Sequence, residues 1–199
     1  MSRDTTGIHA TFVTLGASNH GNNEREGNDY YATDPKALEL LLNLETFSND
    51  VWEPACGGGH LSKVLESHGF NVRSTDLIDR GYGESGIDFL QTEMSFDGDI
   101  ITNPPYKYAR EFVIHALKSV GYGHKVAMLL RLNFLEGIVR RQLFDNFPPR
   151  IVYVSSSRIN CCKNGDFSKE QRSNNSAQAY AWFIWEKGYN GETIVRWFN

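Results

Sequence analysis

Short apolar runs alternate with amphipathic stretches along most of this chain. Apolar and β-branched runs bounded by turn residues predict strands, and apolar positions with helical spacing predict helices. Strands are predicted at residues 51–53, 71–76, 99–102, 125–132, 151–155, 180–185 and 193–198, and helices at residues 35–44, 60–68, 112–120 and 138–143. This alternation indicates an α/β fold, with a mostly parallel sheet, helices on both faces and an antiparallel edge.

The end of the chain predicts a hairpin. A turn at residues 188–191 separates the last two predicted strands, so we expect the final strand to return beside residues 180–185. Trp182, Phe183 and Trp185 resemble a stacking platform for nucleic acid, but successive strand residues point to opposite faces. Core packing therefore explains these aromatic residues better.

Length and composition favour one domain. The chain has 199 residues, of which 40% are hydrophobic and 22% charged, which suits a single core. We expect residues 1–28 to form a flexible polar arm and residues 29–199 to form the domain. Cys161 and Cys162 are adjacent, and neither they nor Cys56 have zinc-ligand spacing. No apolar stretch is long enough to span a bilayer. We therefore expect a reduced, cytoplasmic setting, no membrane and no metal.

The strongest chemical motif is the run Asn103-Pro104-Pro105-Tyr106, which follows an apolar strand. The Asn103 side-chain oxygen and the Pro104 backbone carbonyl can accept hydrogen bonds from a planar amine, and Tyr106 can stack on its ring. An ordinary turn at the end of a strand would also use asparagine and proline. The run alone leaves both readings open.

A second motif precedes it. Residues 51–61 read as a strand, a glycine turn and a helix start, with Glu53 before Gly57 and Gly59. Ser62 stands where the dinucleotide-binding motif would have its third glycine. The next strand ends in Asp76, where a carboxylate can accept hydrogen bonds from ribose hydroxyls, and a further acid, Asp88, precedes Phe89. Glycine turns and surface acids are common, so the order and spacing carry the argument.

In that order, the chain resembles the DNA adenine-N6 group of class I S-adenosylmethionine-dependent methyltransferases, especially small phage-encoded members. The resemblance covers residues 29–187. A leading Tyr-x-Thr-Pro motif is matched by residues 31–35, where Asp34 separates threonine from proline, and Glu53 replaces the more usual aspartate. The motif Asn-Pro-Pro-Tyr also occurs in enzymes that methylate RNA adenines or glutamine side chains, so it specifies a planar amine more firmly than a base.

The resemblance implies a Rossmann-like fold with a seven-stranded sheet, a C-terminal hairpin and S-adenosylmethionine as cofactor. The residues expected around the methionine part of the cofactor are Tyr31, Thr33, Glu53, Ala55, Gly57 and Gly59. Asp76 is expected at the ribose, and Asp88 and Phe89 at the adenine. The resemblance assigns the catalytic pocket to Asn103, Pro104, Pro105 and Tyr106.

Charge is distributed unevenly along the chain. Residues 1–102 hold 6 basic and 17 acidic residues, whereas residues 103–172 hold 12 basic and 5 acidic residues. The basic part begins at the proposed catalytic motif, where a phosphate backbone needs counter-charge. Residues 158–178, rich in Asn, Ser, Lys and Arg, predict a long loop and a short target-recognition element. Residues expected to contact nucleic acid are Lys107, Arg131, Arg158, Lys163, Lys169 and Arg172.

These observations predict a methyltransferase that acts on adenine N6 in DNA, after extruding the base into the Asn-Pro-Pro-Tyr pocket. RNA adenine, a glutamine side chain, or a non-catalytic nucleic-acid-binding module of the same fold remain alternatives. We expect a monomer or weak dimer.

Overall fold

The computed structural model describes residues 31–157, 159, 161–163 and 178–199. Its strands are β1 (Tyr31–Thr33), β2 (Asp50–Glu53), β3 (Asn71–Asp76), β4 (Glu84–Ser85), β5 (Asp99–Thr102), β6 (Lys125–Arg131), β7 (Ile151–Ser155), β8 (Cys161–Lys163), β9 (Tyr180–Glu186) and β10 (Ile194–Phe198). Its helices are α1 (Pro35–Leu42), α2 (His60–Ser67), α3 (Ala109–Ser119) and α4 (Ile138–Asn146). Three short 3-10 helices cover Phe89–Gln91, Tyr106–Tyr108 and Leu132–Leu135.

Eight strands form one sheet in the order β10-β7-β9-β6-β5-β2-β3-β4. Strands β4, β3, β2, β5 and β6 are mutually parallel, and β9 runs antiparallel between β6 and β7. The predicted α/β fold, with a mostly parallel sheet and antiparallel strands near its C-terminal end, is confirmed.

The last strand is paired differently from the prediction. The chain reverses after β9, but β10 lies beyond β7 and pairs with it in parallel, so β9 and β10 do not form a hydrogen-bonded hairpin. The sheet has eight strands instead of seven because the short strand β4 adds to its other edge. The physical reason is that β9 already pairs on both sides, with β6 and with β7, so β10 must use the outer edge of β7.

Helices cover both faces of the sheet, and each face has its own core. Helices α1 and α2 pack on one face with Trp182, and α3 and α4 pack on the other with Trp52, Phe183 and Trp185. Trp182, Phe183 and Trp185 are fully buried, as expected from strand alternation. They belong to the core and form no exposed stacking surface.

A second, two-stranded sheet joins the start of the described chain to the predicted long loop. Strands β1 and β8 pair antiparallel, with Thr33 opposite Cys161. Residues 158–178 are therefore not a loop throughout, because β8 forms within them and Ile159 and Cys161 are buried. Most of the proposed target-recognition element, and the proposed arm at residues 1–28, lie outside the described residues.

Helix α4 begins as predicted, but its apolar residues are divided. Leu143 is buried, whereas Ile138 and Val139 are exposed, so the helix packs on the sheet through its second half. Within the described part of the chain, no helix is long and apolar enough to cross a membrane. The carboxyl ends of β2, β3, β5 and β6 meet at one edge of the sheet, which we call the carboxyl edge; the opposite edge is the amino edge.

Candidate active site

The glycine turn at the end of β2 is fastened to the neighbouring strand. Gly57 and Gly59 have left-handed backbones, with φ of 54° and 77°, which glycine adopts without steric cost. The Cys56 N–H donates to the Thr75 carbonyl at 3.0 Å, and the Gly57 N–H donates to the Asp76 carboxylate at 2.8 Å. The turn is therefore held in one shape at the carboxyl edge.

Asp76 organises this region as well as ending β3. One carboxylate oxygen accepts from Gly57 and the other accepts from the Ile78 N–H at 2.8 Å. The side chain is partly exposed, and each carboxylate oxygen has a further lone pair. Asp76 can hold the turn and still accept a hydrogen bond from a ligand hydroxyl.

Glu53 is a buried acid at the end of β2. Its carboxyl group accepts a hydrogen bond from the Ser62 hydroxyl, which itself accepts one from Ser74 at 2.7 Å. Burial raises the pKa of Glu53 to about 8, although Ser62 opposes the shift. Among the described residues, no Lys, Arg or His forms an ion pair with it. This site would favour a positively charged ligand, because a cation would compensate the buried carboxylate.

Asn103 follows β5 directly and is held by Thr33. The Asn103 amide nitrogen donates to the Thr33 hydroxyl at 2.9 Å, and Thr33 is 2% exposed. This contact holds the Asn103 side chain at the end of β5. Thr33 was expected near the methionine part of the cofactor, and the structure places it against Asn103. Pro104 is buried and Pro105 is half-buried behind it.

Tyr106 lies in a cluster with two residues from the strands that follow. The Arg131 guanidinium carbon lies 4.7 Å from the centre of the Tyr106 ring, and the Tyr180 ring lies 5.9 Å away at 39°. Burial, and next Cys161 and Tyr180, raise the pKa of the Tyr106 hydroxyl well above its ordinary value. The tyrosine is neutral at physiological pH, and one ring face is covered by arginine.

Asp88 and Phe89 are separated by their surroundings. Asp88 is partly exposed and caps the 3-10 helix that follows, accepting from the Leu90 N–H at 3.0 Å. Phe89 is buried, with its ring 5.1 Å from Trp52 and 5.0 Å from Phe112. The Phe89 ring therefore belongs to the core, so a ligand at this position would meet its backbone. Ala55 is half-buried and packs on the same core.

The predicted basic surface is divided between the two edges of the sheet. Lys107 is exposed, with its ammonium group 5.2 Å from the Tyr108 ring, and it lies with Arg131 at the carboxyl edge. Lys125 and Arg150 lie at the amino edge and pair with the buried acid Glu45. A net charge counted along the chain therefore overstates the positive charge around Asn103.

Several predicted site residues fall where side chains are not described. Arg158, Lys169 and Arg172 lie outside the described residues. Tyr31 and Lys163 face each other in the β1–β8 pair, and only their backbone is described.

Two site residues had no signal in the sequence. Tyr180 begins β9, opposite Arg131 in the sheet, which only the strand order reveals. The Tyr82 ring lies on the glycine turn, because a Cβ added to Gly59 would lie 2.5 Å from it, and its hydroxyl donates to Glu66 at 2.8 Å.

No family model matches the chain, and no curated protein sequence matches it. Solved structures match the fold of the chain at low sequence identity. A protein from Listeria monocytogenes, assigned as a class I S-adenosylmethionine-dependent methyltransferase, is 12% identical, with 94% of this chain and 71% of that one covered and a TM-score of 0.59. A protein from Vibrio vulnificus, assigned as the modification subunit of a type I restriction enzyme, is 13% identical. The match covers 93% of this chain and 48% of that one, with a TM-score of 0.53.

An assigned RNA methyltransferase from Pyrococcus horikoshii is 16% identical, with 77% of this chain and 80% of that one covered and a TM-score of 0.52. These likenesses establish the fold. The chain has the Rossmann-like fold of class I methyltransferases, with the antiparallel strand β9 inserted beside β6.

Proposed function

We propose that this protein is an S-adenosylmethionine-dependent methyltransferase that acts on the N6 amino group of adenine in DNA. The observation that carries the proposal is the contact between Asn103 and Thr33. It fixes an amide at the carboxyl edge, beside the glycine turn and the buried acid Glu53. Ligands of open α/β sheets bind at this edge.

The residues present fit the cofactor. S-adenosylmethionine, when bound, supplies a methyl group on a positively charged sulfur. Glu53, buried without a cationic partner among the described residues, suits the positive charge. Asp76 suits the ribose hydroxyls, and the Asp88 region suits the adenine, with the backbone rather than the ring of Phe89 in contact.

Asn103 is suited to activating a planar amine. The lone pair of such an amine is delocalised into its ring, and acceptors placed at its hydrogens help to localise it. Thr33 holds the nitrogen end of the Asn103 amide, so the oxygen end can face the amine. The Pro104 carbonyl would supply the second acceptor, and Tyr106 would support the ring of the base.

DNA is the preferred substrate because the motif order resembles the DNA adenine group and because one matching structure is described as the modification subunit of a type I restriction enzyme. Lys107 and Arg131 at the carboxyl edge would contact the phosphate backbone. RNA is the second candidate, supported by the likeness to an assigned RNA methyltransferase.

The test is to incubate the protein with radiolabelled S-adenosylmethionine and unmethylated duplex DNA, RNA or host protein, each in a separate reaction, and to digest the products. Label in N6-methyladenine from DNA, absent when Asn103→Ala replaces the wild type, is the expected result. Label only in RNA or protein would keep the chemistry and change the substrate. No label anywhere would contradict methyl transfer and favour a binding module.

A further inference from the structure

We propose that Arg131 occupies the stacking position of the target base on Tyr106 in the substrate-free protein, and that base and arginine exchange when the substrate binds. The inference rests on the proposed function, because it assumes that a planar base stacks on Tyr106. It adds a specificity role for Arg131 that the motif does not contain.

The geometry of the cluster carries the first step. The Arg131 guanidinium lies over the Tyr106 ring, 4.7 Å from its centre. A guanidinium is flat, and it stacks on aromatic faces much as a base does. Arg131 ends β6 opposite Tyr180 in the sheet, and its side chain hydrogen-bonds the Tyr180 hydroxyl. The exchange would break this hydrogen bond together with the contact to the Tyr106 ring.

The packing of Tyr106 carries the second step. Its ring contacts both core clusters, one on each face of the sheet, and Tyr180 lies beside it at 5.9 Å. Tyr180 is 5% exposed, so that side of the ring is enclosed by the core. In the proposed exchange the base takes the ring face under Arg131, and it can do so only when Arg131 leaves.

The charge of Arg131 carries the third step. A displaced guanidinium at the carboxyl edge needs a new partner, and a phosphate beside the extruded base would supply it. A base within a polynucleotide brings this phosphate, whereas a free base does not. The exchange would therefore select adenine in a nucleic acid over free adenine compounds.

The test uses two ligands that differ in phosphate. With the cofactor site saturated by S-adenosylhomocysteine, the affinity for 9-methyladenine is measured for the wild type and for Arg131→Ala. The variant should bind 9-methyladenine about tenfold more tightly, since a cation–π contact no longer competes. It should bind DNA more weakly, with the slope of log affinity against log salt reduced by about 1.

Matched variants separate the two roles of Arg131. Arg131→Lys keeps the charge without the flat stacking group, so the salt slope should return, while the gain in 9-methyladenine affinity should be smaller than in Arg131→Ala because a lysine ammonium can still lie over the ring. Lys107→Ala removes a nearby exposed cation and should lower the salt slope without changing 9-methyladenine affinity. Thermal unfolding of each variant checks the fold, and Arg131→Met keeps the apolar stem if the alanine variant is unstable.

Unchanged or weaker binding of 9-methyladenine by Arg131→Ala would overturn the exchange, because Arg131 would then cover an unused face or contact the base directly. Methylation of DNA by the wild type is measured in parallel. A gain in 9-methyladenine affinity without DNA methylation would support the exchange and contradict DNA as the substrate. DNA methylation without a gain in 9-methyladenine affinity would support DNA as the substrate and contradict the exchange.

Discussion

Glu45 and Glu53 are buried glutamates at opposite edges of the same sheet, and their partners differ. The Glu45 carboxylate, at the amino edge, accepts hydrogen bonds from Lys125, Arg150 and the Tyr153 hydroxyl. Burial by itself would raise its pKa, but these three partners outweigh burial and the pKa is lowered. The Glu53 carboxyl group, at the carboxyl edge, accepts a hydrogen bond from the Ser62 hydroxyl, and burial raises the pKa of Glu53 to about 8.

The difference separates a structural acid from a site acid. The protein supplies the cations that neutralise Glu45, so this group ties β6 and β7 together in the folded chain. Glu53 lies beside a glycine turn and near Asn103, with no cationic partner in the described part of the chain. A buried acid that is costly to ionise until a cation arrives is a candidate for a ligand site.

The largest effect is expected at Asn103. Asn103→Ala should lower the rate of methyl transfer by about 10³-fold, because it removes an acceptor aimed at the amine. Cofactor affinity, measured by calorimetry, should change less than about twofold, since Asn103 is expected to contact the substrate. Turnover close to that of the wild type would remove Asn103 from the mechanism.

At the amino edge, Glu45→Ala should lower the free energy of unfolding by about 3 kcal/mol, because it leaves two cations without their buried acid. Denaturant unfolding measures the loss. Cofactor affinity of the folded variant should match the wild type, and a large fall in affinity would show that the two edges are not independent.

Asp76 and Asp99 extend the comparison to a second pair of acids. Asp76→Ala should weaken cofactor binding about tenfold. The variant loses an acceptor for the ribose hydroxyls, and it also loses the hydrogen bond that holds the Gly57 N–H of the glycine turn. Asp99, at the amino edge, accepts from the backbone N–H groups of Ser48 and Lys125. Asp99→Asn should lower the melting temperature and leave cofactor affinity unchanged. Equal cofactor affinity of both variants would remove Asp76 as a ligand.

The smallest effect is the pH dependence of stability, in which the two glutamates act in opposite directions. The pKa of Glu53 is raised in the fold, so its contribution to stability is full below about pH 4.5 and is lost as pH rises towards 8. The pKa of Glu45 is lowered, so its contribution is present above about pH 4.5 and is lost in acid. The free energy of unfolding is measured across this pH range. In Glu53→Gln it should no longer fall as pH rises towards 8. A decline equal to that of the wild type would contradict the raised pKa.

Local patterns in the sequence predicted seven of the ten described strands and missed the short strands β1, β4 and β8. Apolar runs marked the strands, and helical spacing marked α1, α2 and α3 close to their observed bounds. The position of β10 could not be read, because a strand after a turn can pair with its neighbour or cross to another edge. Only the occupation of both sides of β9 decides this.

Contacts between distant residues account for what the sequence missed in the site. Thr33 and Asn103 are 70 residues apart, and they meet because β1 lies over the end of β5. The family resemblance assigned a role to each residue, but it did not predict that they contact each other. Arg131 and Tyr180 meet because β9 enters the sheet antiparallel to β6, and local periodicity carries no information on this pairing.

The most direct test of the account is a calorimetric titration of S-adenosylmethionine at pH 7 in buffers of different ionisation enthalpy, for the wild type and for Glu53→Gln. The account predicts that the wild type releases about one proton more than the variant on binding, because the bound cation converts Glu53 to its carboxylate. It also predicts weaker binding by Glu53→Gln. Equal proton release and equal affinity in the two proteins would contradict the claim that Glu53 at the carboxyl edge is held ready for a positively charged cofactor.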